Sequence, residues 1–536
     1  MRRGRWSVES LVLVLLLGWM VLYPILSVVG EAADGAALGA FFSRPSDRAA
    51  LWASIWVSLA SVALAAAIGV PLAFLFERFE FPGRKTLGSL VALPVVLPPL
   101  IGVIAFLFLY GEAGFAARLV RLVLGLEGPP WRLQGAGAIL LVHAYSMYVY
   151  FYLFTRAGLA RLDTSMLEAA ESLGEGRWGT LRRVTLPLVR PALAGAALLT
   201  FMTALGSFSA PYVLGGGFRV MPTQIYASKL NGELGVAMVE TVALALLALA
   251  GLWVLRRFEG EDILVALGKG TAPRRRELRS PGARAGAAVA GWGFAALLLL
   301  PHLTLLLVSF VPFGTWTTEA LPPVLGLDNY RLLATEPERL RPLVNSLWMA
   351  GASTAGAVAL ALVAGWIVVR QRAALRRAIE WLVALPWALP GTVFAIALAT
   401  AFSRPPLVLV ATLWILPLAY LVRGLPLTGR ALLAGYRQLD PAHEEAAASL
   451  GAGWWETLRR VTVPQLRPAI AAGASLAFVA GLGDFVTSVV LYTFETRPIS
   501  IEILSALRLN EIGVAAAFGV VLMVVSAVVL ALGVRR

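Results

Sequence analysis

The sequence contains no cysteine. Disulfide staples, thiolate metal sites and cysteine nucleophiles are therefore excluded. Charge is scarce as well: 14% of the 536 residues are charged and 59% are hydrophobic, whereas a soluble domain is about a quarter charged. Lysine is confined to Lys85, Lys229 and Lys269, so the basic side chains are almost all arginine. His143, His302 and His443 lie far apart and lack ligand spacing, so no resident metal site is expected. A nucleotide-phosphate cradle needs a Gly-rich loop ending in Gly-Lys-Ser/Thr. Here only Lys269 follows a glycine, and Gly270 comes next. The chain is not expected to be an enzyme or to bind a cofactor of its own.

What the sequence does have is apolar length. A helix crosses ~30 Å of hydrocarbon with roughly 20 apolar residues, and "LVLVLLLGWMVLYPILSVV" is the first such run. It exceeds the apolar core of a cleaved leader, so it reads as a retained first crossing. Twelve crossings are expected near 10–29, 52–76, 87–110, 135–157, 191–212, 234–255, 285–311, 343–369, 378–402, 406–424, 468–492 and 511–533. The fold class is all-α and integral to a membrane.

The net charge of +14 is spread in short clusters between apolar runs, such as "ERFEFPGRK", "PRRRELRSPGARA", "RQRAALRR" and "RGLPLTGRALLAGYRQ". That is the positive-inside distribution rather than the continuous basic face of a nucleic-acid binder. It puts both termini in the cytoplasm, makes lipid the surrounding partner and leaves no nucleic-acid partner. The Arg-, Gly- and Pro-rich stretch 257–284 reads as a cytoplasmic linker between halves 1–256 and 285–536. With six crossings each, the halves enter the membrane in the same direction, as parallel repeats do.

One segment repeats too closely for shared greasiness to explain. "EAAESLGEGRWGTLRRVTLPLVRP" begins at Glu168 and "EAAASLGAGWWETLRRVTVPQLRP" at Glu445, an offset of 277. Over 26 positions 18 are identical, and the matches include Gly, Pro, Arg and Glu. The same offset carries Asp163 to Asp440 and Gly206-Ser207-Phe208 to Gly483-Asp484-Phe485. Internal duplication is the economical account. Each copy has a cap candidate, Asp163 or Thr164 in the first and Asp440 in the second, then a short helix and a glycine stop at Gly174 or Gly451. A compact helix-turn-helix is expected within about 160–190 and again within about 437–467. The plainer alternative, an interfacial helix whose arginines meet headgroups, does not account for paired Ala residues and Gly turns kept in register.

At these residues the sequence resembles the membrane subunit of a binding-protein-dependent ABC importer, whose signature is a cytoplasmic "EAA...G" loop. Glu168, Ala169, Ala170 and Gly174 match it in the first half, and Glu445, Ala446, Ala447 and Gly451 in the second. The resemblance implies a type I ABC importer permease fold with two parallel six-helix repeats. It also implies that each loop docks into one of two copies of a separate ATPase, which uses ATP and Mg, while a substrate-binding protein serves the outer face of a bacterial inner membrane. Fused permeases of this type look like the iron(III) and thiamine importer group. The resemblance points to iron(III), with thiamine, phosphonate-type compounds, polyamines or sugars as alternatives.

Other residues are candidates for the pathway. Tyr145, Tyr148 and Tyr152 in "HAYSMYVYFY" share one helical face, and phenolate is a plausible ferric ligand, although tyrosines at such depths commonly bond between helices. Asp484 is ionisable inside an expected crossing, and its counterpart is Ser207. Glu240 carries a weaker version of the same signal. Pro94, Pro98, Pro99, Pro386 and Pro390 suggest interrupted helices lining a pathway in both halves. An ion-coupled secondary transporter would concentrate polar groups at mid-membrane and would need no docking loop.

Overall fold

The computed structural model describes residues 8–92, 94, 98–257, 276–278, 280–316, 319, 321–371 and 374–534. Most of the expected linker, including Lys269, lies outside them.

The described chain is almost entirely helical. The first half comprises α1 (Val8–Ala32), α2 (Gly35–Ser43), α3 (Pro45–Arg78), α4 (Arg84–Leu90), α5 (Pro99–Tyr110), α6 (Phe115–Leu124), α7 (Gly135–Ala160), α8 (Thr164–Ser172), α9 (Arg177–Leu205), α10 (Ser209–Leu214), α11 (Met221–Leu230) and α12 (Leu234–Arg256). The second comprises α13 (Pro281–Val308), α14 (Asp328–Thr335), α15 (Pro337–Arg370), α16 (Arg376–Trp387), α17 (Gly391–Ala401), α18 (Ile415–Gln438), α19 (Pro441–Ser449), α20 (Trp454–Gln465), α21 (Arg467–Leu482), α22 (Val486–Leu491), α23 (Ile499–Arg508) and α24 (Ile512–Val534). A two-residue parallel bridge joins Phe79–Glu80 to Arg276–Glu277.

Among the described residues nine helical stretches are long and apolar enough to cross a membrane, α5 and α6 counting together as Pro99–Leu124, and eleven crossings result if the bent pairs α16–α17 (109°) and α20–α21 (74°) each count as one. α18, 24 residues long and carrying Arg423, Arg430 and Arg437, is not among them. It lies where the tenth crossing is expected, but in a shifted register. The helix begins at Ile415 rather than near 406, and "RGLPLTGRALLAGYRQ" continues it to Gln438 instead of forming a loop. The fifth and eleventh crossings also end earlier than expected, at Leu205 and Leu482, because Gly206 and Gly483 close the helices and a short second helix follows each.

The halves match element by element. From α7 onward the 277 offset holds approximately, whereas Arg78 at the end of α3 corresponds to Arg370 at the end of α15, 292 residues on. The difference is taken up between α5 and α7, where the first half inserts α6.

The halves do not pack as separate bodies. The first helix of each crosses onto the other: Trp19 and Tyr23 of α1 meet Phe402 edge-on at 5.2 and 6.1 Å, and Tyr148 of α7 meets Phe294 of α13 at 5.5 Å. One large apolar cluster accordingly draws buried residues from both halves, from Leu13 to Leu522. Burial of apolar surface, at roughly 25 cal/mol per Å² from water, does not drive association within lipid. Small residues and close packing do, and Ala65, Ala73, Ala357, Ala361 and Ala364 are all buried along α3 and α15.

Candidate functional site

Each repeated segment folds into the same module. In α8 the carboxylate of Asp163 accepts the backbone N–H of Ser165 at 3.0 Å, which caps a helix otherwise missing its first partners. The helix stops at Gly174, whose φ of +82° strains any residue with a side chain, and Glu175 N–H returns to Ala170 C=O at 3.0 Å. The second copy repeats the geometry. Asp440 caps at Ala442 N–H (3.0 Å), Gly451 has φ +85°, and Ala452 N–H meets Ala447 C=O at 3.1 Å. Both segments then run through "LRRVT", at Leu181–Thr185 and Leu458–Thr462, which winds as a single π turn in each half. Such turns cost local hydrogen-bond geometry and concentrate at functional sites.

Glu168, Ala169, Glu445 and Ala446 are all exposed, while Ala170 is buried and Ala447 half-buried against the body. Beside them stand apolar side chains with no internal cover, Leu173 (86% exposed) and Trp178 (73%) in one module, Leu450 (88%) and Trp455 (65%) in the other. These pairs also stand 277 apart, so the duplication has kept exposed apolar side chains in addition to the Glu-Ala-Ala-Gly positions.

The modules differ in how they are held. In the second half Arg370 pairs with Glu444 at 2.8 Å and donates to Leu439 C=O at 2.8 Å, while Thr462 donates to Glu444 at 2.7 Å. In the first half the Glu444 position is Leu167, and Arg78 bonds Thr185 directly at 3.3 Å. The half-buried pair therefore clamps α19 to the end of α15, and α8 has no such clamp. Glu444→Gln is expected to remove about 1–2 kcal/mol of anchoring, speeding amide exchange across 441–449 roughly 5–30-fold and leaving 164–172 unchanged. Unaltered exchange at 441–449 would mean that apolar packing holds α19.

Above the modules the halves meet at a seam made of their helix breaks. Gly206 abuts Pro390, and Gly483 abuts Pro98, each glycine facing the proline of the opposite half. Next to them Phe208 and Phe485, themselves 277 apart, meet across the seam with ring centroids at 5.7 Å and are almost wholly buried. Tyr212 and Tyr226 complete this aromatic closure, at 5.1 and 5.6 Å from Phe208.

The two counterpart residues at the breaks do different work. Asp484 accepts the N–H groups of Thr487 (2.8 Å) and Ser488 (3.1 Å), caps α22 and pairs with Arg423 at 3.3 Å. Ser207 instead lies 2.9 Å from His143 Nε2, whose Nδ1 is 2.8 Å from Ser61 Oγ. Ser61 donates to Val57 C=O, so it accepts from Nδ1–H and leaves Nε2 to accept from Ser207.

The three tyrosines are committed between helices. Tyr145 donates to Leu298 C=O (2.6 Å), Tyr148 to Val91 C=O and Tyr152 to Gly88 C=O (3.3 Å). They do not converge with Ser207 and Asp484 on one centre. Glu240 is buried and accepts from Ser228 at 3.0 Å. Among the described residues no cluster of three His, Cys, Asp or Glu could hold a metal ion. His443 lies exposed on α19. Sequence reasoning gave Arg423 and Arg430 no role, noted His143 only as a histidine without ligand spacing, and saw Phe208 and Phe485 only as part of the repeat. Their common 277 offset was the signal that could have marked the aromatic pair.

Comparison with known proteins agrees with this geometry. Residues 65–260 and 357–535 each match the model of the family described as "Binding-protein-dependent transport system inner membrane component". The chain is 31% identical over 506 residues to a probable ABC transporter permease protein, y4fN, of Sinorhizobium fredii, covering 93% of this chain and 88% of that one. It is 27% identical to the ferric transport system permease protein FbpB of Actinobacillus pleuropneumoniae (89% of this chain, 68% of that one). It is equally 27% identical to the thiamine transport system permease protein ThiP of Escherichia coli (87% of each). With the family domain present twice and about nine apolar helices around a shared core, this chain is a multi-pass member of the binding-protein-dependent ABC importer permeases.

Proposed function

We propose that this chain is the two-half permease of an ATP-driven importer and that its cargo is iron(III). The observation carrying the first statement is the pair of capped, Gly-stopped modules, which present Glu168 and Glu445 with matching exposed Leu and Trp side chains in the same register. Two copies suit two ATPase subunits. The face bearing the modules is then cytoplasmic, together with both termini and the linker, and the aromatic closure at Phe208 and Phe485 faces the binding protein. Rocking of the halves about the glycine–proline contacts would open the seam alternately to each side. Iron rests on similarity to ferric permeases along most of the chain, a similarity that thiamine permeases share.

The test is uptake of radiolabelled ferric iron and of thiamine by cells expressing this chain with its neighbouring ATPase and binding protein, with and without ATP depletion. ATP-dependent accumulation of iron alone is expected. Thiamine alone would keep the importer and replace the cargo. Accumulation that survives ATP depletion and collapses with the ion gradient would overturn the importer itself.

A further inference from the structure

Helix α18 carries Arg423, Arg430 and Arg437 at intervals of seven residues. Seven residues are two helical turns, so the three share a face, at about 10.5 Å steps. Arg437, at the module face, pairs with Glu380 at 3.0 Å. Arg430, about 10.5 Å further in, is exposed; its guanidinium carbon lies 4.9 Å from the ring of Trp387, and it has no ion-pair partner among the described residues. Arg423, about 21 Å in, reaches the seam at Asp484.

The matching positions on α7 are Ser146, Leu153 and Ala160, so the stripe belongs to one half only. Positive-inside anchoring accounts for Arg437. It does not account for Arg423, because a charge that deep is retained where it faces the bundle interior or a water-filled cavity.

A second observation concerns the helix next to it. The guanidinium of Arg423 lies against Gly391, where a Cβ would come within 2.4 Å of Nη1. Gly391 opens α17, an 11-residue helix whose first N–H groups carry partial positive charge. Two positive groups therefore meet at the seam, and one carboxylate, Asp484, pairs with Arg423 there. On the far side of the aromatic closure Lys229 donates to Val490 C=O and Arg508 to the Tyr212 hydroxyl, each across the halves. Neither has an ion-pair partner among the described residues.

We propose that the cargo crosses this seam as an anion. Arg508 and Lys229 receive it, the Gly391 N-terminus with Arg423 holds it as Asp484 yields, and Arg430 carries it toward the module face. The ligand class is a small molecule or complex presenting anionic oxygens. This rests on the importer reading, and under the iron assignment it means that ferric ion travels as an anionic carboxylate complex and not as the hydrated cation. A free oxyanion has the same chemistry.

The complete transporter, reconstituted in proteoliposomes with its ATPase and binding protein, separates these sources. The probes are labelled iron(III) presented as the citrate complex, molybdate, and the cation thiamine, with binding-protein-stimulated ATP hydrolysis read alongside. Wild type is expected to take up one of the two anions. Arg430→Gln is expected to slow that uptake about tenfold with stimulated hydrolysis intact, and Arg430→Lys to restore most of it. A purely structural role would not give rescue by charge alone. Uptake of thiamine only, uptake of none of the probes, or a glutamine variant as fast as wild type, each with hydrolysis stimulated, overturns the anion assignment and leaves the importer standing. Hydrolysis that the binding protein fails to stimulate in wild type overturns the importer reading and this inference with it.

Discussion

Replacing Glu168 and Glu445 together with glutamine is expected to abolish ATP-driven uptake while the protein reaches the membrane at its normal level. Both carboxylates are exposed, and neither has a side-chain partner among the described residues, so the fold loses nothing with them. Exposed substitutions of this kind usually change stability by less than about 0.5 kcal/mol. At a docked interface the same groups would be desolvated and paired. Truncating such a contact typically costs about 2–3 kcal/mol, or on the order of 10²-fold. Either single variant leaves one module able to grip and should fall between. The measurement is cargo uptake normalised to membrane-inserted protein, with melting temperature as the control for folding. Uptake retained in the double variant would sink the assignment of these modules as the coupling elements, and would return them to the role of lipid-facing interfacial helices.

The second large effect is expected at the seam, and it distinguishes two glycines that sequence symmetry treats as equivalent. A Cβ added at Gly483 would lie 2.5 Å from Pro98 Cβ and 2.7 Å from Cγ, on a ring that cannot swing aside, whereas at Gly206 the nearest atom of Pro390 would be at 3.5 Å, an ordinary contact. Gly483→Ala should therefore force the halves apart where Phe208 meets Phe485. Overpacking of this kind costs about 1–3 kcal/mol, which should appear as a lower melting temperature and as reduced uptake. Gly206→Ala should stay within about 0.5 kcal/mol of wild type. Equal effects at the two positions would mean that the halves approach the seam more symmetrically than the contacts at Gly206 and Gly483 describe.

Much of this was legible in the residues because membrane helices and duplicated motifs leave periodic signals. The modules were visible as Asp caps, Gly stops and repeated Glu-Ala-Ala, each acting within a few residues of itself. Where reading along the chain failed, the cause was charge whose compensation lies elsewhere. The later part of α18 looked too polar to continue the helix because Asp484, Glu380 and Trp387, which contact its arginines, are contributed by other elements. Tyr145, Tyr148 and Tyr152 were correctly placed on one helix, but their carbonyl partners Leu298, Val91 and Gly88 depend on where other segments pack.

By itself the sequence determined the class, the duplication and the position of the two modules, all of which follow from local composition and from register along one chain. Tertiary structure decided that each half's first helix packs on the other half, and that Gly483 is tighter than Gly206. It also decided that the partners of Ser207 and Asp484, identical in register, are a histidine and an arginine. These depend on distances between residues hundreds of positions apart, where small differences in helix packing decide which contact forms.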